Sequence, residues 1–345
     1  MKEIFKDMKY VYFVFSIILA GSLHAQQEAL FSQYYQNPYF FNPAASGMTP
    51  TMQFDMGFRR QWAGIDGAPA TIYATGHSEI QYDRNEPNVV EPFNTKGENV
   101  FANPTNKIGR NKHVVGGKLL NDQIGPFEKN SLMGSYAYHL RFSRSTMLSM
   151  GMGIGISNYG INPDKVVLYD EDDIQYMEFF GRSANQTQLD ASAGLTLYGE
   201  RYAFGVASAQ LLNNDLVIDQ VVTSSSFGRH WSFYGMYQYD LTTDFTLEPH
   251  FMAHVVGGAP LSFNLGSRVL FNQKFWGNVA HRFGDALTVG FGMNFLKKFR
   301  FGYNFDFSTG QVQRLSSNVH EIQFGIILGN SKPSRGDLID ESIED

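Results

Sequence analysis

The chain has 345 residues, a formal net charge of −6, no Cys, 34 Gly, 30 Phe and 18 Tyr. The absence of Cys excludes disulfides and thiolate metal sites, and the acidic balance without a basic patch argues against nucleic acid as a partner. Beyond the first 25 residues no stretch approaches 18 apolar residues, so no membrane-spanning helix is expected there.

Residues 1–25 read as a secretory signal peptide. Lys2, Lys6 and Lys9 form a basic start, Tyr10 to Ala20 is apolar, and Gly21-Ser22-Leu23-His24-Ala25 offers small residues for cleavage after Ala25. An uncleaved anchor is the weaker reading because the apolar core is short. Residues 26–50 carry no strand pattern but are dense in Tyr, Phe and two Asn-Pro pairs, Asn37-Pro38 and Asn42-Pro43. Pro sets φ and Asn supports local turns, so the segment is expected either to fold into a lumen as a plug or to hang as a loose leader. Its clustered aromatics favour the plug, since they would make a poor solvated tail.

From Thr51 to Leu328 apolar residues recur at every second position. Fourteen segments read as strands: 51–60, 70–80, 113–120, 131–142, 146–157, 189–198, 202–210, 230–240, 245–255, 262–271, 275–282, 286–295, 299–309 and 317–328. In 299–309, Phe299, Phe301, Tyr303, Phe305 and Phe307 alternate with Arg300, Gly302, Asn304, Asp306 and Ser308. One greasy face and one small or polar face, repeated behind an export signal, predict an all-β fold, a transmembrane antiparallel β-barrel of about 14 strands surrounded by outer-membrane lipid. The links 143–145, 199–201, 241–244, 272–274 and 296–298 are short, longer or more varied links follow the fifth, seventh, ninth and thirteenth segments, and the short outer link Gly284-Asp285 and the long periplasmic-side segment 81–112 are the exceptions. Short periplasmic turns, longer outer loops and an even strand count put both ends of the barrel's strand run in the periplasm. Aromatics at strand ends (Trp62, Tyr82, Phe142, Tyr198, Tyr202, Tyr239, Phe271, Phe275, Phe295, Phe299) read as interfacial girdles. Residues 83–112 are aperiodic and read as a periplasmic insertion; 329–345 read as an acidic, disordered periplasmic tail.

The loop from Gln61 to Pro69 is the candidate partner contact. Trp62, Ile65 and Pro69 supply rigid apolar groups, and Gly64 and Gly67 permit a tight turn. A structural turn carrying a girdle Trp is an equally good reading. Arg59 faces inward with Asp55, and Lys118, Arg141, Asp190, Glu248, Arg268, Arg282, Asp306 and Glu321 share that orientation. Mixed signs predict internal salt bridges that stiffen the wall and hold a plug, whereas a selective pore shows a constriction of one sign. Glu248, His250 and His254 lie on one face, but His-x-x-x-His on a strand spans about 13 Å, too far for one metal ion; a hydrogen-bonded lumen pair of Glu248 with His250 is expected instead. Asp170-Glu171-Asp172-Asp173 lacks the Gly spacing of a Ca²⁺ loop and reads as solvated charge. No nucleophile elbow, His-Glu-x-x-His or phosphate loop occurs, so neither an enzyme nor a cofactor is expected.

The run Phe31-Ser32-Gln33-Tyr34-Tyr35-Gln36-Asn37-Pro38-Tyr39-Phe40-Phe41-Asn42-Pro43-Ala44-Ala45-Ser46-Gly47 resembles the opening of the PorP/SprF family of outer-membrane proteins, tied to type IX secretion and gliding motility in Bacteroidota. Arg59-Arg60-Gln61-Trp62 with Gly67-Ala68-Pro69, the element Asn121-Asp122-Gln123-Ile124-Gly125, Gly134-Ser135-Tyr136-Ala137-Tyr138 and His320-Glu321-Ile322 are similar to further family signatures. The chain departs from the family in the 83–112 insertion and in the acidic tail. The resemblance implies a non-enzymatic accessory of type IX secretion. Its partners would be a secreted cargo or adhesin, held through the cargo's C-terminal domain, and other secretion components, some linked to periplasmic peptidoglycan. The residues leave a second reading open, an outer-membrane transporter or porin for small, hydrophobic solutes.

Overall fold

The computed structural model describes residues 30–49, 52–62, 64–65, 67–80, 111–143, 145–162, 165–166, 185–212, 215–218, 221–226, 228–257, 259–296, 298–309 and 318–328. The signal peptide, nearly all of the 83–112 insertion, Asp170 to Asp173 and the acidic tail lie outside these residues. Seventeen strands occur among them: β1 (Met52–Gln61), β2 (Ala70–Ile80), β3 (Lys112–Ile124), β4 (Phe127–Arg141), β5 (Thr146–Ile161), β6 (Asn185–Gly199), β7 (Tyr202–Ala209), β8 (Asp215–Ile218), β9 (Val221–Ser226), β10 (His230–Tyr237), β11 (Tyr239–Asp240), β12 (Phe245–Val256), β13 (Ser262–Phe271), β14 (Phe275–Arg282), β15 (Ala286–Phe295), β16 (Phe299–Ser308) and β17 (Asn318–Leu328).

Fourteen of them, β1–β7, β10 and β12–β17, close into one antiparallel barrel. Each pairs with its chain neighbour, β1 pairs with β17, and β10 joins β7 to β12. Closure pairs the backbone groups that lipid cannot hydrogen-bond. The exposure pattern explains the register. In β1, Gln53, Asp55, Gly57 and Arg59 are buried while Met52, Phe54, Met56 and Phe58 are exposed. The same alternation in β15 exposes Leu287, Val289, Phe291 and Met293. An inside-out chain of this kind buries its polar residues in the lumen and offers an apolar belt to lipid.

The structure departs from the sequence-based boundaries where strands rise past that belt. The segments expected at 113–120 and 131–142 extend to Ile124 and back to Phe127, and only Gly125-Pro126 joins them. Beyond Leu119 and Leu132 the outward residues become Asn121, Asn130 and Glu128, which hydrogen-bond one another. The apolar signal ends there; the ladder of backbone bonds does not. At the other end Lys112, assigned to the insertion, is the first residue of β3. The strand expected at 230–240 is interrupted at Gln238, whose N–H bonds to the Arg201 carbonyl, and the two-residue β11 that follows pairs with β12. The β8–β9 hairpin within the link after β7 is new. Tyr198 is no girdle residue: it is buried in the lumen against His139. Arg141 is exposed at its strand end and donates from Nε to the Ser143 carbonyl.

One mouth of the barrel carries the links 62–69, 125–126, 162–184, 210–229, 257–261, 283–285 and 309–317 and is called the loop end; the other, with links 142–145, 200–201, 272–274 and 296–298, is the turn end.

Candidate functional site

Two places bring the sequence-derived candidates together: the lumen and the loop that follows β1. The lumen holds residues 30–49, and nearly every residue from Phe31 to Met48 is buried. The two Asn-Pro pairs each start a single 3-10 turn, Pro38–Phe40 and Pro43–Ala45. Pro is tolerated at such starts because its missing N–H would be unpaired anyway. Asn42 caps the second turn, its Oδ1 accepting from the Ala44 N–H at 2.9 Å, and its Nδ2 donates to the Leu195 carbonyl and Thr196 Oγ1 at 3.0 Å each. Asn37 donates from Nδ2 to Thr75 Oγ1 at 2.9 Å. The prolines shape the segment and the asparagines tie it to β2 and to β6.

Arg59 sits at the upper attachment. Its guanidinium, 2% exposed, donates to Asp306 and Glu321 at 2.9 Å each, and both carboxylates are as deeply buried. Ser32 completes the cluster. Its backbone N–H and that of Gln33 donate to the two oxygens of Glu321 at 2.8 Å, and its hydroxyl donates to Asp306. Arg282 donates to Ser32 Oγ at 2.8 Å, and Thr288 to Asp306. Two guanidinium groups therefore face two carboxylates with nearly every lone pair engaged, the condition under which buried ions are tolerated. Lower down, Arg300 bridges Asp55 and the Gln36 carbonyl, and Arg268 pairs with Glu248 at 2.6 Å while stacking over Tyr35 and Trp276. Asp55 thus meets Arg300, not Arg59. The expected pair of Glu248 with His250 does not form: Glu248 accepts from Arg268 and Gln238, whereas His250 lies 2.6 Å from Tyr34 Oη and 2.9 Å from Asn278 Oδ1. His254 bonds to Ser232.

Aromatic packing fills the space between these ties. Phe31 meets Phe40 and Tyr73 edge-on with ring centroids 4.9 and 4.6 Å apart, the preferred geometry for such pairs. Lys118 donates to the Phe40 carbonyl over the Phe40 ring.

Glycine in the facing wall makes the fit close. A Cβ on Gly151 would lie 2.6 Å from Ala44 Cα and the Pro43 carbonyl carbon, both backbone atoms that a side-chain rotation cannot move. Gly151→Ala is expected to displace the segment or strain β5 at about 1–3 kcal/mol. A matching drop in the midpoint of the heat-dependent gel-mobility shift is the check; an unchanged midpoint would show that the contact is slack.

The loop candidates separate by exposure. Ile65 is exposed, Trp62 is half-buried at φ +50°, and Pro69 is buried, its carbonyl accepting from the Gln61 N–H at 2.9 Å. Pro69 thus closes the loop and presents no apolar face. Gly64 and Gly67 are exposed with positive φ, and the Gly67 carbonyl accepts from the Gly125 N–H at 3.0 Å. That bond joins the loop to the β3–β4 turn, whose flanking Ile124 and Phe127 are 46% and 59% exposed. Ile124 and Phe127 escaped the sequence reading because they lie past the end of the apolar periodicity.

The family description for the type IX secretion system membrane protein PorP/SprF matches residues 23–326. The chain belongs to the PorP/SprF family. A PorP/SprF chain with a closed barrel and an apolar belt is an outer-membrane component of type IX secretion. Comparison with curated proteins gives no match. Among solved structures, similarity extends to the outer membrane protein Omp33 of Acinetobacter baumannii, with 8% identity, a TM-score of 0.45 and coverage of 82% of this chain and 100% of that one. The toluene transporter TbuX of Ralstonia pickettii gives 9%, 0.44, 83% and 90%, and a Pseudomonas aeruginosa FadL homologue 10%, 0.43, 83% and 92%. At such TM-scores these likenesses carry no argument about what this PorP/SprF chain does.

Proposed function

We propose that this PorP/SprF barrel is a non-enzymatic accessory that docks or retains a secreted surface protein, such as an adhesin, through that protein's C-terminal domain. The loop end faces the cell exterior and receives the cargo, and the turn end meets periplasmic secretion components, including those linked to peptidoglycan. The reading is carried by one observation: in a chain of a secretion family, the lumen is occupied by the chain's own residues 31–48. A barrel filled in this way suits holding a protein at its rim better than passing solutes, which disfavours the transporter reading. Trp62 and Ile65, joined through Gly67 and Gly125 to Ile124 and Phe127, supply the apolar contacts at that rim. Buried apolar anchors dominate most interfaces.

The test is the double substitution Trp62→Ala with Ile65→Ala. The barrel should keep its heat-dependent mobility, while surface-held cargo falls by on the order of tenfold, as expected for losing one or two anchors worth about 1–2 kcal/mol each. Cargo display at the wild-type level would remove this loop from the docking account. A pull-down of the wild-type barrel with mass spectrometry of the bound proteins names the cargo.

A further inference from the structure

The lumen segment stops short of the turn-end rim and leaves a cavity of about 100 Å³ there. The segment lines one side, through Tyr35 to Tyr39, Met48 and Thr49, and strand ends line the other. Gln53 is the second residue of β1, Asn294 and Ile327 are each one residue from the ends of β15 and β17, and Gln273 lies in the link 272–274. Such a volume admits several waters, since about 10–15 Å³ suffices for one. It is smaller than the roughly 300 Å³ at which cavities begin to enclose a whole ligand. It therefore fits the end of a larger molecule that enters from the rim.

The lining is rich in donors and, among the described residues, holds no carboxylate. Arg268 and Arg300 line it, with the amides of Gln36, Asn37, Gln53, Gln238, Gln273 and Asn294. Neither guanidinium is used up by its ion pair. Arg268 donates from Nη2 to Glu248, and Arg300 from Nη2 to Asp55 and from Nη1 to the Gln36 carbonyl. Each guanidinium has five N–H donors, and the Nε of each is buried without a hydrogen-bond partner among the described residues. One lining acceptor is in the same position. Asn37 is 2% exposed and donates from Nδ2 to Thr75, while its buried Oδ1 has no partner among the described residues.

Buried polar atoms are nearly always paired, so three open ones around a single cavity call for a bound group. Two guanidinium donors and one amide acceptor match an anionic oxygen group with an N–H beside it. An α-carboxylate with the amide N–H of its own residue is that combination. A phosphate brings the oxygens without the N–H, and a sugar hydroxyl lacks the charge. Met48, Met236 and Leu270 leave an apolar wall for a small terminal side chain.

We propose that the turn-end cavity binds the C-terminal carboxylate of a polypeptide. The two guanidinium groups hold the carboxylate, and Asn37 accepts the N–H of the terminal residue. Because Gln36 and Asn37 come from the segment and Arg268 from the wall, the site exists only while the segment is seated. That the bound polypeptide is periplasmic rests on the orientation proposed above; the cavity and its ligand class do not.

The probe is tetra-alanine with a fluorophore on its N-terminus, carrying either a free C-terminus or a C-terminal amide. It is titrated with the purified full-length barrel in detergent, and anisotropy reads binding. The acid should bind tighter than the amide by on the order of tenfold or more, because only the acid forms charge-assisted bonds. Ile327 lines the cavity at the rim and is half-buried, so Ile327→Glu adds a charge there and Ile327→Gln is its neutral control. Ile327→Glu should weaken the acid by on the order of tenfold relative to Ile327→Gln, by like-charge repulsion, and leave the amide unchanged. Gln273→Glu takes its place should Ile327→Glu lack the heat-dependent mobility shift of a folded barrel. Equal binding of acid and amide, or no binding of the acid at about 10 mM, overturns the proposal. So does an acid that binds Ile327→Glu and Ile327→Gln alike. Detergent solution has no inside or outside, so these outcomes stand whichever way the barrel faces in the membrane.

Discussion

Arg59→Ala is expected to destabilise the barrel and its lumen segment by about 3–5 kcal/mol, the usual cost of removing one partner from a buried ion pair. The substitution deletes the guanidinium that faces both Asp306 and Glu321 and strips one donor from Ser32 Oγ. Arg282 stays, but it stands 3.7 Å from Asp306 and is shared with the exposed Asp285. Glu321 keeps only the backbone N–H groups of Ser32 and Gln33 as described charge-compensating donors. One buried carboxylate is then left without a counter-charge. Arg59→Lys should recover part of the loss, since an ammonium restores the charge but lacks the fork that reaches two carboxylates. Ser32→Ala should cost less, about 1–3 kcal/mol, for the hydrogen bonds left open. Because the groups share partners, Arg59→Ala with Ser32→Ala should cost less than the two separately. The midpoint of the heat-dependent mobility shift reads all four variants. Additive losses, or an Arg59→Ala midpoint at the wild-type value, would show that the cluster does not hold the segment.

The barrel is legible in the sequence because period 2 is a local property: Met52 to Phe58 shows it within seven residues, and fourteen such segments with mostly short links leave little choice of topology. The strand ends are less legible, since Asn121 and Glu128 continue a strand whose outward face no longer meets lipid. The lumen partners are not local at all. Arg59 finds Glu321 262 positions away and Asp306 247 away, and no spacing rule separates those carboxylates from Asp55, four residues off on the same face. The inward orientation of the charges could be read; their pairing waited on the curvature and closure of the sheet. Arg300 could have joined the inward set from its place on the polar face of 299–309. Ser32 gave no signal of its own, because its role depends on the course of the segment across the barrel.

Deleting Phe31 to Met48 is expected to turn a closed barrel into a conducting one. Eight strands close on an interior that side chains alone can fill, and sixteen or more leave an aqueous channel. Fourteen lie between, so the lumen needs extra matter to be shut. Here Phe31, Tyr34, Tyr35, Tyr39 and Phe40 supply it, buried among Tyr73, Tyr234, His250 and Trp276. Without them the remaining lumen is polar: Ser149, Thr196, His139, Asn264 and Asn278 would face the space along with the ion pairs. Such groups are hydrated readily, so water should enter and the wall, held by its own ladder, should stay closed. In planar bilayers the wild-type protein should give no steady ionic steps, and the deletion variant discrete ones. Gly151→Leu, which keeps the whole chain but forces a side chain into the Pro43–Ala44 backbone, should show intermittent openings. Steady conductance from the wild type would sink the docking account in favour of transport. A deletion variant that folds, by its mobility shift, yet stays silent would mean that the wall rather than the segment closes the lumen. Thr49 bonds to Gln53 near the start of β1 and holds the segment at the turn end, so losing the Arg59 attachment alone should free the part around Ser32 while leaving the segment inside the barrel. Arg59→Ala should therefore give flicker, and only deletion a sustained open state.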